Sequence, residues 1–280
     1  MTTLLLIMTS FTSQSILQVP LGLDTYIPTP ENNPITREKI ELGKRLFFDK
    51  RLSSDGTVSC GTCHDPEHAF SDAHKTAVGV AGRTGNRRTP RIANRAYGTM
   101  FFWDGRAKSL EEQVLQPIAN AREMNLEPEE AARRAGLQVA AMRDALATYV
   151  RTILSGDSPY DRAQLDSQQR AGLRLFRGKA GCAVCHAGPN LTDEKLHQTG
   201  VEEGVAIKTP SLRDVARTPP FMHDGSIATL DAVIDFYDKG GTSVTQDADI
   251  RPLHLSAAEQ ASLRAFLEAL SGTTRDGLPH

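Results

Sequence analysis

The feature that most constrains this chain is a short motif that occurs twice, in which two cysteines three positions apart are followed directly by a histidine. The copies consist of Cys60, Cys63 and His64, and of Cys182, Cys185 and His186. In such a motif the thiols form thioethers with the vinyl groups of a porphyrin, and the histidine binds the iron. A lone C-x-x-C would be weaker evidence, because redox dithiols and zinc sites share it. The two copies use all four cysteines of the chain, so the sequence predicts two covalently bound c-type haems.

Length and charge restrict the remaining possibilities. A chain of 280 residues suffices for one large or two small domains, and one motif in each half favours two. The formal net charge is −2, 24% of the residues are charged, and no basic run occurs. These values argue against a protein that binds nucleic acid.

The start of the chain predicts export. The apolar run 4–8 is much shorter than the roughly 20 residues that a membrane span needs, so we expect no stable span. Together with the Thr/Ser-rich residues after it, the run is typical of an export signal, although the usual preceding basic residue and a clear cleavage site are missing. Residues 1–20 are therefore interpreted as an export signal or a disordered start. Because c-type haems are attached outside the bacterial cytoplasm, we expect a periplasmic protein.

The hydrophobic pattern predicts a mostly α fold with long irregular loops. No strand-like alternation of useful length occurs, and the Gly-, Arg- and Pro-rich segment 64–95 shows no sustained period. Helical periodicity and capping residues recur elsewhere in the chain. The predicted helices lie after Thr36, over 109–116, over 128–153, over 168–176, and from the capping box of Ser256 and Glu259 to Leu270.

An internal repeat indicates that one haem domain has been duplicated. Thr89-Pro90 recurs as Thr209-Pro210, and Asp104-Gly105 recurs as Asp224-Gly225, each 120 residues later. The Ser/Gly/Pro-containing stretch 155–159 is the best boundary. We therefore expect an N-terminal haem domain over 21–157 and a C-terminal haem domain over 158–280.

The repeat also shows where the halves differ. Trp103 in the first half becomes His223 in the second, and Pro117 becomes Tyr237. A tyrosine oxygen binds haem iron, whereas a proline offers no ligand atom. The two irons are therefore expected to have different surroundings.

Longer motifs around the two haem sites are similar to those of one protein family. They are FWDGRA at 102–107, LEEQ at 110–113, TPSLR at 209–213 and MHDG at 222–225. With the two C-x-x-C-H sites, they make the chain resemble the bacterial dihaem cytochrome c peroxidase and MauG family from about residue 21 to residue 270. The resemblance implies that the N-terminal haem meets peroxide while the C-terminal haem stores and passes electrons.

The resemblance also implies three catalytic residues. Trp103 corresponds to a tryptophan that helps electrons pass between the haems, and Gln113 and Glu123 correspond to the amide and carboxylate of the distal pocket. A carboxylate there would take a proton from one peroxide oxygen and return it to the other. The alternatives are that Trp103 is a core aromatic residue and that Glu123 is a solvated surface residue.

The ligand of the second iron separates two branches of the family. Peroxidases of the family commonly use Met there and MauG-type members use Tyr. Tyr237, fourteen residues after His223, matches the Tyr position, so we expect ligation by His186 and Tyr237. Met222 is the alternative thioether ligand. A phenolate favours ferric and higher-valent iron, opposite to the effect of Met.

The first iron is expected to be open on its distal side. Members that need reductive activation carry a removable histidine roughly sixteen residues after the proximal one. That neighbourhood here is Val78 to Ala81, without an imidazole. His68 and His74 are interpreted as solvated loop residues.

The sequence neither favours nor excludes a bound calcium ion. In the family, an Asn side chain and backbone carbonyls hold Ca²⁺ between the haems, and Thr218 and Pro220 match the carbonyl positions. Arg88 occupies the Asn position, where a cation beside a cation is unfavourable. Asn86 and Asn94 are the possible replacements.

Three functions follow from these expectations. The first is a peroxidase that reduces hydrogen peroxide with electrons from a small cytochrome c or a cupredoxin. The second is a MauG-like oxidase that modifies a partner protein by long-range electron transfer, and the third is a dihaem electron-transfer cytochrome without catalysis. A carrier would need two six-coordinate irons, whereas Gln113, Glu123 and the missing distal histidine favour a reactive first haem.

Overall fold

Helices dominate the computed structural model, which describes residues 16–278. Residues 1–15, most of the expected export signal or disordered start, and residues 279–280 lie outside the described part. The helices are α1 (Arg37–Phe47), α2 (Cys60–Cys63), α3 (Leu110–Gln113), α4 (Gln116–Ala119), α5 (Pro128–Arg134), α6 (Val139–Arg151), α7 (Ser167–Arg177), α8 (Leu230–Asp238) and α9 (Ala257–Glu268). The strands are β1 (Leu154–Gly156), β2 (Leu196–His197), β3 (Ile207–Lys208) and β4 (Thr273–Arg275).

Two of the predicted helix starts are confirmed by their caps. The Thr36 side chain accepts a hydrogen bond from the Lys39 amide at the start of α1. At the start of α9, Ser256 and Glu259 form the expected capping box, in which each side chain accepts from the other residue's amide. Such caps satisfy backbone N–H groups that have no partner within the helix.

The single helix predicted over 128–153 is wrong, because the chain forms α5 and α6 instead. Gly136 adopts φ +71° between them, a left-handed conformation that favours glycine. The amide of Leu137 then donates to the carbonyl of Ala132 at 2.9 Å. The helical periodicity continued across this turn and concealed it.

Two closely packed helix pairs form the centres of the two halves. Helix α1 packs on α6, and α7 packs on α9. A side chain on Gly43 would overlap the carbonyl of Ala145, and one on Gly172 would overlap the carbonyl of Ser262. Glycine therefore sets the close approach in both pairs.

The buried apolar residues form two large clusters and one small one. The first large cluster extends over 46–153 and the second over 165–270. The small cluster packs the extended lead-in against α1, through Ile27 and Ile40. Strand β4 pairs antiparallel with β1, so that the last described residues contact the first half.

Several backbone features recur 120 residues apart. The isolated bridge between Phe101 and Ala107 recurs between Phe221 and Ile227. Asn94 and Asp214 both have left-handed backbones and both precede a one-turn 3-10 helix. Helices α3 and α8 begin at positions 110 and 230, again 120 residues apart.

Between α2 and α3 the described backbone forms only one-turn 3-10 segments and isolated bridges. This long connection runs along the cavity described below. Within residues 16–278, no helix combines the length and apolar character needed to cross a membrane.

Candidate active site

Both C-x-x-C-H motifs open onto one cavity of about 650 Å³. Its wall includes the cysteines and histidine of each motif. It also includes the predicted residues Trp103, Gln113, Glu123, Met222 and Tyr237. The structure therefore brings all the sequence-predicted site residues together around one space, of a size typical of cofactor sites.

The first motif presents His64 with one ring nitrogen already engaged. Helix α2 contains both cysteines, and the His64 amide donates to the Cys60 carbonyl at 2.8 Å. The Nδ1 atom of His64 lies 3.3 Å from the Phe70 carbonyl oxygen. An Nδ1–H donor to this carbonyl leaves the lone pair on Nε2 for a metal. Burial lowers the pKa of His64, which favours the neutral imidazole that metals bind.

The second motif repeats this arrangement. The His186 amide donates to the Cys182 carbonyl at 2.9 Å, and His186 Nδ1 lies 3.1 Å from the Leu191 carbonyl oxygen. Burial lowers the pKa of His186 to about 4. The two residues whose carbonyls face the histidines, Phe70 and Leu191, both have a positive φ, of 59° and 52°. The same unusual backbone conformation thus occurs at both sites.

The four cysteines fit covalent haem attachment. All four are free thiols, and each motif places its pair on one side of the cavity beside its histidine. Burial raises the pKa of Cys60 and of Cys63 to about 12, so these thiols are poor metal ligands or redox nucleophiles as they stand. The donor set therefore fits two haem groups better than a zinc site or a redox disulfide.

Glu123 and Gln113 lie on the wall of the cavity with the first motif. The Glu123 carboxyl group is half-buried and accepts a hydrogen bond from Asn120 Nδ2 at 2.6 Å. Burial raises the pKa of Glu123, and the bond from Asn120 partly opposes that change. A carboxyl group with a raised pKa is suited to exchange protons near neutral pH.

Trp103 lies where the two halves meet. Its indole Nε1 donates to the Arg88 carbonyl at 2.9 Å, and its own carbonyl accepts from the Lys208 amide at 2.7 Å. The ring centroid lies 6.4 Å from that of His223, which occupies the corresponding position of the repeat. Backbone groups from both halves thus fix the tryptophan.

Tyr237 extends from α8 into the cavity beside the second motif. Burial raises the pKa of its phenol to about 12. Met222, the alternative ligand, also lies on the cavity wall and has φ +66°. Both residues line the same cavity. Both therefore stay candidates for a ligand of a second iron.

The wall near the first motif includes Pro117, Val78 and Gly79. His68 and His74 lie outside the cavity wall, and each has an exposed side chain beside an aspartate. Neither of these two histidines is therefore placed to contact a group bound in the cavity.

The expected calcium position contains an arginine side chain. Arg88 Nη2 donates to the Thr218 carbonyl at 2.8 Å, one of the two carbonyls that would serve as ligands. Asn94, one possible replacement for the missing Asn ligand, instead hydrogen-bonds through its side chain to the backbone of Ser155. Asn86 lies on the cavity wall.

A second group of potential metal ligands lies beside the second motif. Cys185, Asp193 and His197 have ligand atoms close enough for one ion. His197 Nε2 lies 2.8 Å from Asp193, however, and its Nδ1 lies 2.6 Å from Asp247. Despite the opposing effect of burial, the two carboxylates raise the pKa of His197. We therefore interpret the group as a histidine held between two aspartates.

Sequence reasoning missed several groups that complete the site. Nothing about the side chains of Phe70 and Leu191 indicates that their carbonyls face the two histidines. Asn120 could have been noticed, because it precedes Glu123 by three residues in a turn. Lys208 is buried on the cavity wall, and burial lowers its pKa to about 8. Nothing around it in the sequence indicates that it lines the cavity.

The fold and the site together define an oxidoreductase built to hold two c-type haems. The family model for di-haem cytochrome c peroxidases matches residues 37–169. The chain belongs to the dihaem cytochrome c peroxidase and MauG family. The resemblance inferred from the motifs is thereby confirmed.

Individual relatives come from both branches. The methylamine utilization protein MauG of Methylorubrum extorquens is 39% identical over 87% of this chain and 81% of that protein. The cytochrome c551 peroxidase of Pseudomonas aeruginosa is 32% identical over 88% and 84%. A crystal structure of a MauG-like protein associated with microbial copper homeostasis superposes with a TM-score of 0.84, at 31% identity over 89% of this chain and 95% of that one.

Proposed function

We propose that the chain is a periplasmic peroxidase that reduces hydrogen peroxide to water at the N-terminal haem. Two electrons and two protons convert one peroxide into two waters, and the electrons pass through the C-terminal haem. The observation that carries this proposal is the half-buried Glu123, whose pKa is raised by burial, on the cavity wall with His64 and Gln113.

Glu123 is proposed to move a proton between the two peroxide oxygens. When bound, the N-terminal haem would supply the electrons needed to cleave the O–O bond. The Glu123 carboxylate accepts a proton from one oxygen and donates it to the other, so that the second oxygen leaves as water. Asn120 fixes one carboxylate oxygen at 2.6 Å, which holds the other in place for this transfer. Gln113 is proposed to orient peroxide through its amide.

Trp103 is proposed to relay electrons between the two haem sites. Its position on the cavity wall between the motifs supports this role. Its N–H faces the Arg88 carbonyl, a very weak base. Loss of an electron from the indole therefore need not be followed by loss of its proton, which keeps the step reversible.

Tyr237 and His186 are proposed as the residues that would hold the C-terminal iron, with Met222 as the alternative to Tyr237. The phenol with a pKa of about 12 stays protonated until a cation stabilises its oxygen. Such a ligand makes a low-potential haem that favours oxidised iron.

This ligand also supports a second candidate function, a MauG-like oxidase of a partner protein. Because such a ligand stabilises oxidised iron, the second haem would hold an oxidising equivalent that peroxide supplies, and a partner protein would later lose an electron to it over a distance. The identity of 39% to a MauG protein favours keeping this candidate. The partners would be an oxidisable protein in this case, and a small cytochrome c or cupredoxin for a peroxidase.

The finer organisation is proposed as a duplication of one haem domain, 21–157 and 158–280. The recurrent bridges and 3-10 helices at a spacing of 120 residues support this division. For the cofactors, we propose two haem c groups and no calcium ion, because the Arg88 guanidinium already binds the Thr218 carbonyl.

The test is to mix the resting ferric protein with hydrogen peroxide, without prior reduction, and to follow peroxide loss with a reduced small cytochrome as donor. A peroxidase consumes two reduced cytochromes per peroxide. An oxidase of a partner protein would react with peroxide but turn over the cytochrome poorly. A pure electron carrier would leave peroxide intact, and that result would overturn the proposal.

A further inference from the structure

Arg88 is a buried cation at the junction of the two halves. Its side chain is only 6% exposed. The Nη2 atom donates to Ser71 Oγ at 3.1 Å in the first half and to the Thr218 carbonyl at 2.8 Å in the second. Neither acceptor carries a negative charge.

Other buried arginines of the chain have carboxylate partners, which makes Arg88 unusual. Arg151 binds both oxygens of Glu111 at 2.7 and 2.8 Å, and Arg213 binds both oxygens of Asp161. Among the described residues, no carboxylate forms an ion pair with Arg88, and the nearby Asp72 accepts from Thr89 instead. Burial of a charge without a counter-charge is costly.

The Nε–H of Arg88 is a buried donor without a partner in the described part of the chain. Arg88 also lies on the wall of the cavity shared by the two haem motifs. Burial lowers the pKa of Arg88 to about 10, so the group remains charged at neutral pH. A buried cation with a free donor beside a cofactor cavity indicates an anionic acceptor on the cofactor.

We propose that Arg88 binds a propionate carboxylate of a haem through its Nε–H. Propionates are the only anionic side groups that haem carries, and a guanidinium matches a carboxylate in both charge and geometry. The propionate would thus supply the directly bonded counter-charge that Arg88 lacks among the described residues, where Asp72 lies nearby but accepts from Thr89. This inference requires only that the protein binds haem, and it is independent of whether the protein turns over peroxide.

The same residue would couple haem binding to the position of Trp103. The Arg88 carbonyl accepts from Trp103 Nε1, and the Arg88 amide donates to the His223 carbonyl at 2.9 Å. A propionate that fixes Arg88 therefore also fixes the backbone that holds the tryptophan. Arg88 acts here as a positioning residue.

The experiment compares Arg88→Gln, Arg88→Lys and Arg151→Gln in the purified dihaem protein. Arg151→Gln is the matched control, since it removes a buried guanidinium that has its own carboxylate and lies outside the cavity wall. Reduction potentials of both haems are measured by spectroelectrochemistry, and propionate bending modes by resonance Raman spectroscopy.

A cation beside a propionate stabilises the reduced, less positive haem. Arg88→Gln should therefore lower the potential of one haem by a tenfold change in its one-electron equilibrium, which corresponds to 59 mV, and should shift a propionate bending mode. Arg88→Lys retains the charge and should restore most of the potential. Arg151→Gln should lower thermal stability and leave both potentials unchanged.

Two results would overturn the proposal. If Arg88→Gln lowers the melting temperature but leaves both potentials and the propionate modes unchanged, Arg88 only links the halves. If the potential changes without any change in the propionate modes, the charge acts at a distance and the direct bond is wrong.

Discussion

The two C-x-x-C-H sites share the surroundings of their histidines and differ in the other side chains on the cavity wall. In each, the histidine amide donates to the first cysteine's carbonyl, and Nδ1 lies within 3.3 Å of a carbonyl oxygen. Pro117 and Glu123 of the first half line the cavity, as do Tyr237 and Met222 of the second half. The attachment geometry is thus common to the halves, and we propose that these other wall residues give each half its chemistry.

Pro117 and Tyr237, which correspond in the repeat, show how small a sequence change would distinguish the two halves. They are 120 residues apart, so one side chain decides whether this position offers a ligand atom. The first half offers a carboxyl group with a raised pKa on the cavity wall, and the second offers a phenol oxygen. A reactive first iron and a second iron that favours its oxidised states are the proposed outcome.

The largest effect is expected from removing a thioether, because it tests what the pockets share. Cys63→Ala and Cys185→Ala should each weaken or abolish one covalent attachment, so that denatured protein retains one haem instead of two. Pyridine haemochrome absorbance of the denatured chain measures this directly. Equal losses would support two equivalent attachment sites, and a zinc-loaded protein without haem would contradict the whole assignment.

The next effect concerns Glu123, the group that makes the first pocket reactive. Glu123→Gln keeps the shape but cannot transfer a proton, so peroxide cleavage should slow by about 10² to 10⁴, the usual contribution of a positioned acid–base group. Stopped-flow absorbance at the haem bands measures the rate. Glu112→Gln on the exposed face of α3 is the matched control, and an unchanged rate in Glu123→Gln would make Glu123 structural.

The pH dependence sharpens the same comparison. Burial raises the folded-state pKa of Glu123, so the carboxyl group stays protonated to a higher pH than an exposed glutamate. As pH falls through that raised pKa, the base is lost and the rate should fall, with a midpoint at a higher pH than an exposed glutamate would give. In Glu123→Gln this acid limb should disappear from the pH–rate profile of the peroxide reaction.

A smaller, spectroscopic effect distinguishes the ligands of the second iron. The resting protein should show one high-spin and one low-spin ferric haem in its EPR spectrum. Tyr237→Phe removes the oxygen and retains the ring, so the low-spin signal should become high-spin or reflect a replacement ligand such as Met222. If the signal survives in Tyr237→Phe and is lost in Met222→Leu, the second haem has His/Met ligation.

The sequence predicted α1 and α9 from the signals at their ends and missed a break between helices that the backbone sets. The capping residues Thr36 and Ser256 indicate where α1 and α9 begin. The break between α5 and α6 depends on the left-handed conformation of Gly136, which a continuous apolar period hides. Side-chain identity is visible in a sequence, whereas a residue's φ angle is visible only indirectly.

The site shows the same limit. Trp103 and Glu123, which the family resemblance singled out, lie on the cavity wall, and their catalytic roles stay predictions. The bond from Arg88 to Thr218 was not predicted, because it joins residues 130 positions apart. Contacts that depend on how the two halves pack follow from the tertiary fold and leave no local pattern.

The smallest effect is expected for calcium, which tests whether the junction between the pockets needs a metal. The Arg88 guanidinium binds the Thr218 carbonyl at 2.8 Å, and a divalent cation beside it would be repelled. A calcium chelator should therefore leave the rate of peroxide loss and the melting temperature unchanged. Arg88→Asn supplies a neutral amide oxygen of the kind that calcium prefers, so added Ca²⁺ should raise the melting temperature of this variant alone. Loss of activity in the unaltered protein on chelation would show that the ion binds despite Arg88, most directly through Asn86.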